Sequence, residues 1–117
     1  MYRERKKKCE EFRSSLPTLA GQAKQEQEAA LWKLLLYLQG CVFLTAKGLK
    51  FFCKVKGGEM FVNRKSKSIT QATIFMAFRK AMELGGAVTG AKKLGTFGAS
   101  YLYPIFVRLG VIRADAG

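Results

Sequence analysis

Residues 49–66 read LKFFCKVKGGEMFVNRKS and carry the clearest strand signal in the chain. Two runs with aromatic and β-branched residues, 49–56 and 59–66, flank the dipeptide Gly57-Gly58. Two adjacent glycines between such runs are typical of a two-residue hairpin turn, because glycine readily adopts the positive φ angles that this turn requires. The sequence therefore predicts a two-stranded antiparallel β-hairpin over residues 49–66.

Placing the glycines at the turn also predicts which residues of the two strands lie opposite each other. The expected pairs are Lys56 with Glu59, Val55 with Met60, Lys54 with Phe61, Cys53 with Val62, Phe52 with Asn63, and Phe51 with Arg64. Because side chains alternate along a strand, the core face is expected to carry Phe51, Cys53, Val55, Met60 and Val62. The opposite face is expected to carry Lys50, Phe52, Lys54, Lys56, Phe61, Asn63 and Lys65.

This second face of the hairpin combines several lysines with two phenylalanines, Phe52 and Phe61. Cations that follow a phosphate backbone and rings that stack on bases are what a single-strand-binding surface needs, so the mixture suits nucleic acid. Alternatively, the two rings pack beneath a long helix while the lysine ammonium groups reach solvent. A two-stranded ribbon is only marginally stable alone, which favours the covered arrangement.

Before the hairpin, the sequence predicts a charged arm followed by one long helix. Residues 1–15 contain six cations and three glutamates. They are expected to form a basic flexible arm, with a frayed helix as the alternative, and Pro17 is expected to break the chain after them. The long helix is expected from Leu19 or Gly21 to Gln39, with an apolar second half that indicates burial on most sides.

After the hairpin, the sequence predicts three helices. The first is expected over residues 69–84, with Ser68 as its cap, Gln71 reaching back to it, and Gly85-Gly86 at its end.

A short helix is then expected over 89–94 and a longer one over 99–109, with Gly95 in the turn between them. The longer one carries apolar residues at helical spacing on one face, namely Leu102, Ile105, Phe106 and Leu109.

Together these elements predict an α+β fold in a single compact domain. Its parts are a long N-terminal helix, the two-stranded antiparallel hairpin, and a three-helix C-terminal unit. The expected boundaries are a basic flexible arm over residues 1–15 and the domain over 16–117, with the hairpin at 49–66 and the helical unit at 68–111.

The net charge of +13, from 21 Lys and Arg against 8 Asp and Glu in 117 residues, is the strongest compositional signal. A small protein with this charge repels itself unless a polyanion is nearby. Nucleic acid, an anionic membrane surface and an acidic protein are the candidate partners, and nucleic acid is the preferred one. The apolar stretch 29–46 is interrupted by Lys33 and Gly40 and is short for a bilayer span, so no span is expected. A lipidation motif is absent, so no membrane partner is expected, with a membrane-surface role of the basic arm as the alternative.

The composition also argues against catalysis and metal binding. The chain has no histidine, which removes the commonest general base and the commonest metal ligand. The three cysteines, Cys9, Cys41 and Cys53, fit neither a zinc pattern nor a disulfide framework, and free thiols indicate a reducing cytoplasm. We therefore expect no catalytic residue, no metal and no cofactor.

The last two predicted helices and the turn between them carry small, aromatic and apolar residues at characteristic positions. Ala91 is a small residue in the first helix, Gly95 lies in the turn, residues 100–103 read SYLY, and Leu109-Gly110 closes the stretch. These positions resemble the helix-turn-helix of the Fis and NtrC C-terminal type. The chain departs from that pattern in a turn one residue longer and in Pro104, which places the helix start at or just before Ser100.

The resemblance implies that the start of the second helix approaches base edges in the major groove. Ser100, Tyr101 and Tyr103 are the residues it would place there. Lys92 and Lys93 on the first helix would then meet phosphates. The alternative is an ordinary helical hairpin that completes the core.

The sequence thus predicts a small, non-enzymatic, nucleic-acid-binding protein, with DNA preferred over RNA. The specific expectation is a duplex DNA-binding regulator or a mobile-element accessory factor. The alternative is a phage- or mobile-element-encoded inhibitor that binds a nucleoprotein complex. The expected nucleic-acid contacts are Lys50, Lys54, Lys56, Arg64, Lys65, Lys67, Lys92, Lys93, Ser100, Tyr101, Tyr103 and Arg108.

Overall fold

The structure, a computed structural model, describes residues 2–19, 21–64 and 67–113, and its elements confirm the predicted α+β class. In chain order they are α1 (Tyr2–Leu19), α2 (Lys24–Tyr37), β1 (Phe43–Leu44), β2 (Lys50–Phe51), β3 (Cys53–Lys56), β4 (Glu59–Val62), β5 (Ile69–Thr70), α3 (Gln71–Glu83), a 3₁₀ helix (Ala91–Leu94) and α4 (Ala99–Arg108). Within these ranges, no helix is both long and apolar enough to span a bilayer.

The β3–β4 hairpin has the predicted turn and register. Gly57 and Gly58 adopt φ angles of 58° and 78°, as a two-residue hairpin turn of type I′ requires. All four expected pairs nearest the turn are present. The next pair also stays linked, because the Asn63 N–H donates to the Phe52 carbonyl (3.1 Å) and the Asn63 Oδ1 accepts from the Phe52 N–H (2.8 Å).

The hairpin is extended by short strands that the sequence did not predict. β4 also pairs with β5, which gives a three-stranded sheet of order β3-β4-β5. β2 pairs with β1, so Phe51 lies opposite Phe43 and the predicted pairing of Phe51 with Arg64 is wrong. The physical reason is burial: both rings leave water, and they stack with centroids 5.6 Å apart.

The start of α3 also differs from the prediction. Ile69 and Thr70 form β5 and not a first helical turn, and Ile69 is fully buried. The cap of α3 is Thr70, whose hydroxyl oxygen accepts from the Thr73 N–H (3.3 Å). The predicted cap, Ser68, donates instead to Glu59. Pairing with β4 keeps residues 69 and 70 extended, so the helix begins later than its capping pattern suggested.

The N-terminal part contains two helices where an arm and one long helix were predicted. α1 is held to the core by Cys9, Phe12 and Leu19, which are buried and recur at helical spacing. Pro17 lies inside α1 at an exposed position and does not end it. Burial on both sides of Pro17 outweighs the backbone hydrogen bond that proline removes. The described part of the predicted arm is thus helical.

The C-terminal elements follow the prediction closely. The expected short helix is the 3₁₀ helix Ala91–Leu94, and Gly95 after it has a φ of 67°. α4 buries Leu102, Ile105 and Phe106, as its periodicity predicted. The Phe106 ring meets the Phe78 ring of α3 edge to face at 6.2 Å. α4 therefore lies at the centre of the hydrophobic core.

Candidate nucleic-acid interface

One face of the hairpin strands is open to solvent, and we call it the outer face; it comprises Lys50, Phe52, Lys54, Lys56 and Phe61. Its two rings are 38% (Phe52) and 43% (Phe61) exposed. Lys54 lies directly opposite Phe61, and Phe52 is the diagonal neighbour of Phe61 on the same face. The backbone hydrogen bonds of β3 and β4 hold this arrangement in place.

The opposite, inner face of the same strands packs into the core. Phe51, Cys53, Met60 and Val62 are buried and Val55 is half-buried, which confirms the predicted core face. Gln39, two residues after the end of α2, contacts the edge of β3, where its Oε1 accepts from the Val55 N–H (2.8 Å).

The long helix therefore does not cover the outer face, and the expectation that it would is wrong. Its buried residues, Leu31, Leu34 and Leu35, belong to the same core cluster as the inner face. Phe52 and Phe61 lie on the other side of the sheet, where they are 38% and 43% exposed.

The outer-face lysines have no ion-pair partner among the described carboxylates. The ion pairs of the described residues join Lys8 to Glu11 and Arg79 to Glu28. Glu59, the acidic residue next to the turn, is half-buried and accepts a hydrogen bond from the Ser68 hydroxyl. Three lysine charges on one face are thus not neutralised by a described carboxylate.

The tyrosines proposed to read bases are engaged in internal contacts. Tyr101 and Tyr103 are half-buried. The Tyr101 ring meets the Phe51 ring edge to face at 5.1 Å. The Tyr103 hydroxyl donates to the Val88 carbonyl (3.2 Å). Of the predicted reading residues, only Ser100 is exposed on α4.

A second group of predicted residues meets in a cleft beside α4. Lys50, Tyr103 and Arg108 line a space of about 670 Å³ between α4 and the β1–β2 pair. The Arg108 guanidinium lies 4.7 Å from the Phe43 ring centroid. Arg13, which sequence reasoning did not select, also lines the cleft, and its Nε donates to the Arg108 carbonyl (2.9 Å). The sequence signal that could have indicated Arg13 is its spacing: it directly follows Phe12 and lies four residues after Cys9, both on the buried face of α1.

The other predicted contacts are spread over the surface. Lys92 and Lys93 are exposed on the 3₁₀ helix, and Arg64 is exposed after β4. The Lys67 ammonium lies 5.4 Å from the ring centroid of Phe97, an exposed residue that the sequence did not single out. Lys65 lies outside the described residues. The structure thus places Lys54 and Lys56 on the outer face with Lys50 earlier in the same segment, brings Lys50, Tyr103 and Arg108 around the cleft, and leaves the others apart.

The cysteines form neither a metal site nor a disulfide. All three thiols are free, and in the part of the chain that the structure describes no three His, Cys, Asp or Glu residues cluster as metal ligands would. Burial raises the pKa of the Cys53 thiol to about 12 and also raises the pKa of Cys9. Both thiols are therefore protonated, and poorly nucleophilic, near neutral pH.

Comparison with known proteins adds no relative: no protein-family model, no curated protein and no solved structure matches this chain.

Proposed function

We propose that this protein binds nucleic acid and that the outer face is its principal contact surface. The observation that supports this most directly is the combination of Phe52 and Phe61, both exposed, with three lysines that lack a carboxylate partner among the described residues. Stacking rings and unpaired cations on one regular surface are the two components that a nucleic acid partner requires. The free thiols agree with a reducing cytoplasm as the site of action.

The net charge supplies the long-range part of the proposed interaction. With 21 basic and 8 acidic residues, most lysines and arginines have no acidic residue to neutralise them. Cations that contact phosphates release condensed counterions, so binding weakens steeply as salt rises. Exposed cations elsewhere, such as Lys92 and Lys93, add to this attraction whatever surface makes the close contacts.

Reading of duplex DNA by α4 is the less supported form of the same proposal. A recognition helix must place its first side chains against base edges. In the structure, Tyr101 and Tyr103 are held by Phe51 and Val88, and breaking these contacts would uncover part of the core. The outer face needs no such rearrangement, since its rings are already partly exposed to solvent.

The proposal is tested by fluorescence anisotropy of labelled oligonucleotides over a series of salt concentrations. The double variant Lys54→Gln with Lys56→Gln should reduce the slope of log K against log salt by about 0.7–0.9 for each phosphate that the protein no longer neutralises. The matched control is Lys92→Gln with Lys93→Gln, which removes the same charge from the 3₁₀ helix.

A smaller effect of the control supports the outer face as the principal contact. An equal or larger effect of the control moves the site to the C-terminal unit. Lack of binding to any duplex or single strand at low salt would overturn the proposed function altogether.

Exposed apolar residues at the β1–β2 pair favour one alternative, a protein that binds and inhibits a nucleoprotein complex. Val42, Leu44 and Leu49 are 53%, 54% and 45% exposed. The Thr45 N–H donates to the Leu49 carbonyl (2.9 Å), which keeps Leu44 and Leu49 near each other. A pull-down from nuclease-treated lysate tests this: one stoichiometric protein partner, absent with Leu44→Ser, supports it, whereas retention of nucleic acid alone contradicts it.

A further inference from the structure

We infer that the outer face is a stacking platform for unpaired bases, so that the ligand is single-stranded nucleic acid. This inference rests on the proposed nucleic-acid-binding function and specifies its substrate class. Phe52 and Phe61 would each stack on one base, and Lys50, Lys54 and Lys56 would contact the phosphates on either side. The chemistry recognised is an exposed base face next to a phosphate, which single-stranded DNA and RNA share.

The placement of the two rings suits two separate bases. Lys54 lies opposite Phe61 in the antiparallel pair, so Phe52 and Phe61 are diagonal neighbours. Diagonal residues on one face are about 7–8 Å apart, which is too far for the rings to bury each other fully and leaves a surface on each. Their exposures of 38% and 43% agree with this separation.

The backbone around the rings is fixed before any ligand binds. Both hydrogen bonds between Phe52 and Asn63 are made, one through the Asn63 side chain (2.8 Å) and one through its N–H (3.1 Å). Phe61 lies within β4, between β3 and β5. Ordering of the platform therefore costs little free energy on binding, as expected of a preorganised site.

The lysines lie where a strand backbone would pass. Lys54 and Lys56 lie two residues apart on β3, and residues two apart on one strand face are about 6.6–6.8 Å apart. Lys50 lies earlier in the same segment, on β2, which pairs with β1 in a separate sheet. A single strand laid along this segment would meet positive charge repeatedly, with Phe52 between the first two lysines. Charge complementarity thus selects a polyanion over an uncharged apolar partner for these exposed rings.

A duplex does not offer the same contact. Its bases are stacked on each other, so their faces are covered, and exposing one base means unstacking and unpairing it. In the outer face Phe61 lies in β4 and Phe52 directly precedes β3, and both rings are already partly exposed without a duplex being opened. Duplex DNA is therefore expected to bind through charge alone, more weakly and without dependence on the rings.

The test measures anisotropy of labelled dT20, rU20 and a 20-base-pair duplex with the full chain and four variants. Phe52→Ala and Phe61→Ala should each weaken single-strand binding roughly 5- to 150-fold. Phe61→Leu, which keeps an apolar side chain but no ring, should also weaken it. Phe97→Ala is the matched control, because Phe97 is 43% exposed, like Phe61, but lies outside the outer face.

The outcomes separate this inference from the proposed function. Ring-dependent binding of dT20, rU20 or both, with an unaffected duplex, supports the inference, and the two arms show which sugar is preferred. Equal binding of duplex and single strands that none of the ring substitutions weakens overturns the inference and leaves the proposed function standing. Full retention of binding by Phe61→Leu overturns stacking, and no binding of any probe overturns the proposed function itself. Circular dichroism confirms that each variant is folded.

Discussion

Phe61 in β4 and Phe106 in α4 are the same side chain in opposite surroundings. Phe61 is 43% exposed on a face with three lysines, whereas Phe106 is fully buried against Phe78. Both lie in segments that the sequence marked as candidate binding elements. The difference teaches that aromatic residues near cations do not by themselves locate a binding surface, because packing uses the rings of α4 and leaves those of the outer face free to contact a ligand.

The largest expected effect is a difference in the free energy of unfolding between alanine substitutions of these two rings. Phe106→Ala should lower the free energy of unfolding by about 3–5 kcal/mol, because it leaves a cavity in the centre of the core. Phe61→Ala should lower it by about 1 kcal/mol or less, since much of the ring is already in water. Urea denaturation measures both values, and comparable losses would show that the outer face is packed and not open.

The hairpin and its two faces could be predicted because the information lies within one short stretch. Gly57-Gly58 fixes the turn, and the alternation on either side assigns each residue to a face. The alternation could not show whether the rings of Phe52 and Phe61 would be covered by the long helix or exposed to solvent. That depended on where α2 packs, and its buried residues Leu31, Leu34 and Leu35 belong to the same core cluster as the inner face.

The remaining errors arise where a segment takes its structure from residues outside it. β1 and β5 are two residues long, too short to show an alternation of their own, and each is held by pairing with a neighbouring strand, β2 or β4. α1 has few apolar residues among many charges. Its helix is stabilised by burial of Phe12 and Leu19 in the core, which the local sequence does not reveal. Tyr103 is similar, since its partner Val88 lies between α3 and the 3₁₀ helix, and no local pattern predicts that hydrogen bond.

The loop before α4 provides the second prediction, because the helix-turn-helix resemblance treats it as the turn between two helices and the structure also gives it a packing role. Gly98 has a φ of 75°, and a Cβ there would clash with the Ile69 side chain, 2.8 Å from its Cγ1. Gly98→Ala should therefore lower the free energy of unfolding by about 2–4 kcal/mol, from strain and overpacking together.

Gly95→Ala is the matched control for that loop. Gly95 has a similar φ of 67°, but a Cβ there would meet nothing within 4 Å. Its cost should be the backbone strain alone, about 1–2 kcal/mol. Thermal or urea unfolding measures the stability of both variants. Equal losses of stability would mean that close packing of Gly98 against Ile69 of β5 does not limit the residue at this position.

Tyr103→Phe tests whether the tyrosine supports the fold or reads bases. Loss of the hydroxyl removes the hydrogen bond to the Val88 carbonyl and should lower the free energy of unfolding by about 0.5–1.5 kcal/mol. Affinity for oligonucleotides should stay the same, measured by anisotropy beside the unfolding curves. Unchanged stability with weakened duplex binding would reverse the comparison and favour α4 as a recognition helix.

Cys53 lies on the inner face of β3, next in sequence to the exposed Lys54, and its thiol gives the smallest expected effect. Burial raises the pKa of this thiol from 9.0 to about 12. Between pH 8 and pH 9 the unfolded chain therefore begins to release a proton that the folded chain retains, so stability falls as the pH rises. The expected fall is roughly 0.4 kcal/mol over that interval, measured by urea denaturation at each pH.

Cys53→Val removes the thiol and keeps an apolar side chain at the same inner position, so the fall in stability should shrink. Cys9 remains in that variant, and burial raises its pKa in the same direction, so a smaller residual fall is expected. An undiminished fall would show that the Cys53 thiol ionises as readily in the folded protein as in the unfolded chain. The inner face of β3 would then be open to water, and solvent exposure would no longer distinguish the face that carries Phe52 and Phe61.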